Sequence, residues 1–200
     1  MNKLVLATSN RGKLAEMQPM LADAGFTLVT QGELGVTDAI ENGRTFVENA
    51  LIKARHAAAI TGLPAMADDS GLIVDALDGA PGLVSAHYAG VHGDAAGNIR
   101  KLLAELQGVP EEKRTARFYA LIVLLRHADD PQPLIAEGSW EGRILAAPRG
   151  DCGFGYDPVF FDPELGMGAA ELSPETKNRV SHRGRALACL REKLANNPLA

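Results

Sequence analysis

The chain has 200 residues, with 46% hydrophobic and 22% charged side chains, an ordinary globular composition large enough to bury a real core in one domain spanning 1–200. A net charge of −5 argues against a broad nucleic-acid backbone binder, which would show a basic face, but leaves room for a small anion held by a few lysines. Cys152 and Cys189 lie far apart without CxxC spacing, which disfavours a disulfide framework or a zinc site and fits a reducing compartment.

Residues 3–7 form a short apolar run that reads as a buried first strand. The run is too short for a signal peptide, and no run approaches a membrane span, so the expectation is a cytoplasmic protein with no membrane partner. Thr8-Ser9-Asn10-Arg11-Gly12-Lys13 follows, then a helical pattern through Leu14, Met17, Leu21 and Ala24 that stops at Gly25. In the order strand, polar loop, helix, backbone N–H groups at the helix start can face an anion. GxxxxGK[ST] is absent, so this is not a Walker loop. A plain capped helix start, with Ser9 or Asn10 as the cap, explains the loop as well as a phosphate cradle does.

Residues 27–30 are the expected second strand, and 31–42 a loop carrying Glu33, Asp38 and Glu41. Residues 45–60 form an amphipathic helix with an apolar stripe at Phe46, Val47, Ala50, Leu51, Ala54, Ala57 and Ala58. Thr45 with Glu48 three residues on is a capping-box pattern. Asn49, Lys53 and His56 share another face, where a lysine is ordinarily only solvated.

Next comes Ala67-Asp68-Asp69-Ser70-Gly71-Leu72. Residues 65–67 and 72–74 read as two brief strands with a turn between them, Gly71 supplying the freedom. Adjacent Asp68 and Asp69 repel, and in an extended chain they point to opposite faces. An acidic turn in water is the bland explanation; a divalent cation, with magnesium suited to hard oxygen ligands, is the sharper one.

Residues 78–82 form a rigid loop. Asp94 can cap a helix through Ile99, Leu102, Leu103 and Leu106 that stops at 108–110. Residues 115–127 are the longest strand candidate; 134–140 can pair antiparallel to it, and 142–145 can extend that sheet. In the glycine-rich stretch 146–157, Phe154 and Tyr156 stand beside glycines in a chain only 5% aromatic. They can stack a flat base or fold back onto the core, and the sequence leaves both open. Residues 159–161 read as a strand. Ser173-Pro174 opens a helical turn containing Lys177, and Ser181 opens a last helix with Ala186, Leu187, Leu190 and Leu194 inward. His182 and Arg183 in its first turn oppose the helix dipole, which suggests a purpose other than helix stability. The tail 196–200 is expected to fray.

Five motifs now stand in order: 8–13, Phe46-Val47-Glu48-Asn49-Ala50 with Lys53-Ala54, 67–72, Gly153-Phe154-Gly155-Tyr156-Asp157-Pro158, and Ser181-His182-Arg183-Gly184. Together they resemble the inosine/xanthosine triphosphate pyrophosphatase (Ham1-like) family across nearly the whole chain. The resemblance implies an α/β fold, with a long mixed β-sheet, flanking helices and two lobes around a central substrate groove. It implies a homodimer that needs Mg²⁺ and hydrolyses ITP, dITP and XTP to monophosphate and pyrophosphate. By matching position, Thr8, Ser9, Asn10, Arg11, Gly12 and Lys13 would bind the triphosphate. Asp69 would be metal ligand and general base with Asp68 assisting, and Glu41, in Glu41-Asn42-Gly43, the second metal carboxylate. Ser70 would touch substrate, and Lys13 and Lys53 would balance phosphate charge. Phe154, Gly155, Tyr156, Asp157, Lys177, His182 and Arg183 would bind the base. Lys177 and Arg183 are donors that suit a 6-oxo purine and mismatch adenine, but guanine also carries a 6-oxo group, so GTP rejection is unexplained. A pyrophosphatase for other nucleotides and a non-catalytic nucleotide sensor are the alternatives; nucleic acid is not an expected partner.

Overall fold

The computed structural model describes residues 2–9, 11–22 and 26–196, and gives only the backbone at 2, 11, 12, 16, 19, 20 and 22. Asn10, the Arg11 side chain, the expected helix stop at Ala24 and Gly25, and the tail 197–200 lie outside the described residues.

In chain order the elements are β1 (Asn2–Leu6), α1 (Arg11–Ala22), β2 (Phe26–Thr30), α2 (Phe46–Thr61), β3 (Ala65–Val74), α3 (Ala95–Glu105), β4 (Thr115–Leu125), β5 (Leu134–Ile144), β6 (Phe160–Asp162), β7 (Met167–Gly168), α4 (Pro174–Val180) and α5 (His182–Asn196). The strands form one mixed seven-stranded sheet in the order β2-β1-β3-β4-β5-β6-β7. β1 runs parallel to β2 and β3, while β5–β6 and β6–β7 are antiparallel. With its helices this is the α/β class expected.

Two compact units divide the chain: residues 1–69, 120–138 and 183–200 in the first, residues 70–119 and 139–182 in the second. Each has its own core. In the first, Met17 and Leu21 of α1 and Ala186, Leu187 and Leu190 of α5 pack with Leu4, Leu6, Met66, Ile122 and Leu124. Those helical positions follow the three-to-four spacing read from the sequence. In the second, Leu102 of α3 and Leu106 just after it join Leu72, Val74, Phe118, Trp140, Tyr156 and Phe160. The Trp140 indole N–H, buried with its ring, donates to Asp162 at 2.7 Å.

The caps at Thr45, Asp94 and Ser173 fall where the sequence puts them. Thr45 Oγ1 accepts from Glu48 N at 3.3 Å, and Glu48 accepts from Arg44 N at 2.7 Å. Asp94 accepts from Gly97 N, and Ser173 from Thr176 N ahead of Pro174. The stretch 134–145 is one strand to Ile144 rather than two pieces, and 157–159 is a 3₁₀ turn that delays β6 to Phe160.

The turn expected at 68–71 is absent. β3 runs unbroken from Ala65 to Val74, through both aspartates, Ser70 and Gly71. Gly71 is not in the left-handed region. Its small size serves another need: a Cβ there would lie 2.3 Å from Gly82 O and 2.7 Å from Ser85 Oγ. Leu72 N donates to that Ser85 hydroxyl at 3.0 Å. Close approach of the 82–85 turn, not a bend in the chain, demands glycine.

Candidate active site

β1 and β3 pair only at Val5–Ala65 and Leu6–Met66, with Ala7 N donating to Met66 O at 2.8 Å. Beyond that point β1 gives way to the polar loop, while β3 continues into Asp68 and Asp69. Both carboxylates therefore lie past the carboxyl end of β1, the region where ligands of parallel α/β sheets bind. Strand alternation sends them to different partners.

Asp68, 2% exposed, takes Lys13 from the first turn of α1 and Arg183 from the first turn of α5, the latter at 3.3 Å through Nε. Burial pushes its carboxyl up, but the Lys13 ammonium and Arg183 guanidinium outweigh burial and hold its pKa below the usual carboxylate range. This ion pair accounts for an arginine placed against the α5 dipole.

Asp69, 8% exposed, accepts from Lys53 Nζ at 2.8 Å. The same ammonium lies 2.9 Å from Glu41 Oε2. Burial, and then the neighbouring Glu41 charge, raise the Asp69 pKa against the pull of Lys53. Burial lowers the Lys53 pKa, but Asp69 and Glu41 outweigh it, and the ammonium titrates above its ordinary range.

Glu41 reaches Lys53 because α2 ties down the segment before it. His56 Nε2 meets Thr37 O at 2.9 Å, and Gly43 N donates to Asn49 Oδ1 at 2.9 Å. A Cβ at Gly43 would come within 2.6 Å of Glu48 Cβ, so only glycine lets the chain pass the start of α2. The shared face of Asn49, Lys53 and His56 is thus the face that holds the Glu41 segment.

Ser9 of the loop 8–13 is held from the segment after β2. Ser9 Oγ donates to Asp38 at 3.2 Å and Gln31 Nε2 donates to the same carboxylate at 2.5 Å. A cleft of about 690 Å³ opens there, lined by Thr8, Ser9, Leu14, Gln31, Glu33 and Asp38 among others. Its charged lining among the described residues is acidic, so a polyanion is better served by Lys13 and Lys53. Among the described residues no group of three or more His, Cys, Asp or Glu side chains could by itself hold a metal ion.

In the second unit, Lys177 of α4 is 7% exposed and donates to Asp157 at 2.7 Å. Asp157 also accepts from Phe154 N at 2.7 Å, and the Lys177 ammonium sits 4.8 Å from the Phe154 ring centre. Phe154 stays 38% exposed, but Tyr156, 6% exposed, has folded into the core and donates its hydroxyl to Ser85 O at 2.9 Å. Of the two rings, one is displayed and one is structural. His182, also buried, stacks on Phe118 with centroids 4.9 Å apart. Ser70, on β3 next to Asp69, is half-buried.

Ser85 escaped the sequence reading. It braces β3 just after the aspartates, and a serine inside Leu83-Val84-Ser85-Ala86 was the available signal. Asp38 and Gln31, which position Ser9, had none beyond their polarity.

An α/β sheet with paired carboxylates past the carboxyl end of β1, met by lysines of α1 and α2, defines a protein equipped for a phosphorylated ligand. Residues 4–193 match the Ham1 family, and the chain belongs to that family. It is 66% identical over 194 residues to a protein of Xanthomonas oryzae pv. oryzae named dITP/XTP pyrophosphatase, covering 97% of this chain and 98% of the relative. A Vibrio cholerae protein of the same name is 57% identical over 187 residues, 94% of each chain. Among solved structures, a HAM1 protein from Coxiella burnetii superposes with a TM-score of 0.91 at 50% identity, over 98% of this chain and all of that one. The Staphylococcus aureus Ham1 protein gives 0.87 at 36% identity, over 98% and 99%.

Proposed function

We propose that this chain hydrolyses ITP, dITP and XTP to the monophosphate and pyrophosphate, using Mg²⁺, and so clears deaminated purines from the nucleotide pool. The observation that carries this reading is the Lys53 ammonium held between Asp69 and Glu41, one strand position from a second aspartate that holds Lys13. High identity to proteins named dITP/XTP pyrophosphatase supports the substrate class.

Asp69 and Glu41 are hard oxygen donors drawn to one cation, and Mg²⁺ is commonly bound by one or two carboxylates plus substrate phosphates. The donor set fits. When bound, such an ion neutralises phosphate charge and polarises the reacting phosphoryl group. The protein's own groups do the rest. Asp69 accepts a proton from the attacking water, whose oxygen bonds to the α-phosphorus. The bond to the α–β bridging oxygen breaks, and pyrophosphate departs with the electron pair. A carboxylate whose pKa burial has raised is the better base. Lys13 and Lys53, with Thr8, Ser9, Asn10, Arg11 and Gly12, hold the phosphates, and Ser70 touches the substrate. Placement and charge stabilisation supply most of the acceleration.

Phe154 stacks the purine, with Gly155, Tyr156, Asp157 and His182 shaping its surroundings. Lys177 and Arg183 are donors that suit the 6-oxo group. The active form is a homodimer in the cytoplasm; light scattering at twice the chain mass checks the first point. Pyrophosphate release from ITP, XTP, GTP, ATP and dTTP, with and without Mg²⁺, tests the reaction. Fast Mg²⁺-dependent release from ITP and XTP, with little from the others, is expected. Release confined to dTTP or ATP would overturn the substrate assignment, and no release from any would overturn the reaction.

A further inference from the structure

Lys53 is bonded to both carboxylates that the proposed function assigns to the metal. Its Nζ is 2.8 Å from Asp69 Oδ1 and 2.9 Å from Glu41 Oε2, so it fills the space between the two donors. Resting on that proposed function, we infer that Lys53 is a stand-in for the metal. It neutralises Asp69 and Glu41 in the nucleotide-free protein and gives up that place only when a metal–nucleotide complex arrives, carrying phosphates to receive it.

Three observations carry this. The side chains of Lys53 and Asp69 are only 13% and 12% exposed, so the carboxylate cannot be left without a cation cheaply. The opposite strand face is already balanced, because Asp68 holds Lys13 and Arg183. Finally, its four-carbon stem springs from the same face of α2 whose Asn49 and His56 fix the segment bearing Glu41. The ammonium can swing while its anchor and both carboxylates stay put.

A dication cannot share two carboxylates with an ammonium without strong repulsion. Free protein therefore binds metal weakly. Nucleotide tightens metal binding by offering Lys53 another partner, and by linkage metal tightens nucleotide binding by the same factor.

The test is Mn²⁺ binding to the full chain, followed by electron paramagnetic resonance, for wild type, Lys53→Met and Lys53→Gln. It is run with and without α,β-methylene-ITP, and circular dichroism checks folding. Without nucleotide, each variant is expected to bind Mn²⁺ about tenfold tighter or better, from lost repulsion alone. Adding Glu41→Gln to Lys53→Met should abolish that gain. The coupling between Mn²⁺ and the analogue should be smaller in Lys53→Met than in wild type. Folded variants that bind Mn²⁺ no tighter than wild type overturn the stand-in role, as does a gain that survives Glu41→Gln. The pyrophosphate panel reports separately. A wild type without pyrophosphate release, whose variants still gain Mn²⁺, keeps the stand-in and loses the reaction. An active wild type whose variants gain nothing does the reverse.

Discussion

Replacing Gly71 by alanine tests the close approach of the 82–85 turn to β3, two residues after Asp69. The added Cβ meets Gly82 O at 2.3 Å and Ser85 Oγ at 2.7 Å, so the 82–85 turn must retreat. That turn is pinned by several bonds. Ser85 Oγ accepts from Leu72 N at 3.0 Å and donates to Gly82 O at 2.5 Å, while Ser85 O accepts from the Tyr156 hydroxyl at 2.9 Å. Overpacking of a close contact costs roughly 1–3 kcal/mol. A buried N–H left without its acceptor costs about the same again. A total of about 3 kcal/mol lowers the melting temperature by about 6–12 °C for a chain of this size. Thermal and urea unfolding measure the loss. Pyrophosphate release well below the melting point then shows whether displacing β3 also lowers kcat, since Asp69 stands two residues upstream. Ser85→Ala removes one obstacle but not the Gly82 carbonyl, so it does not rescue Gly71→Ala. A Gly71→Ala protein melting within about 1 °C of wild type would refute the close-approach argument.

Asp69→Asn removes the proposed base and should lower kcat by about 10²–10⁴-fold with a smaller effect on KM, read from steady-state kinetics on ITP. Near-normal turnover would sink the assignment. Asp157→Ala strips a buried lysine of its carboxylate and should cost about 3 kcal/mol by urea unfolding, with a raised KM for ITP. Asp130, 1% exposed, accepts from Arg126 and from Gln132 N, and the Arg126 bonds lead in holding its pKa below the usual range. A depressed carboxylate stabilises above its unfolded pKa and loses that contribution as pH falls. Asp130→Asn should therefore cost about 2 kcal/mol at pH 7, with the gap to wild type narrowing below about pH 4. A gap that is constant with pH would contradict the ionised pair. Chelation with EDTA should abolish pyrophosphate release, and added Mg²⁺ should restore it.

Local rules made much of the chain legible. Helix spacing and caps depend on neighbours three or four residues away, so α2, α3, α4 and the inward face of α5 were readable. β3 was misread because Gly71 answers to Gly82 and Ser85, a demand made in space by a turn over ten residues later. Phe154 and Tyr156 look alike in sequence, each following a glycine; only the buried Ser85 carbonyl separates the anchored ring from the displayed one. The acidic pair was visible as an electrostatic problem. Its solution was visible only as scattered lysines, since partners of Asp68 come from α1 and α5, at opposite ends of the chain.

The pairing of those charges bears on the form of substrate the site takes. Among the described side chains of the first cluster, Lys13, Lys53 and Arg183 face Glu41, Asp68 and Asp69: three cations on three carboxylates. A neutral cluster exerts little pull on a free nucleoside triphosphate, whose several negative charges would meet carboxylates as closely as lysines. Under the proposed function, a dication supplied with the nucleotide would reverse the balance, because Asp69 and Glu41 would serve the metal and the Lys53 they release would serve the phosphates. In an acidic protein, selectivity for the metal-bound nucleotide would thus follow from pairing Lys13, Lys53 and Arg183 in advance, and no excess of basic residues is needed.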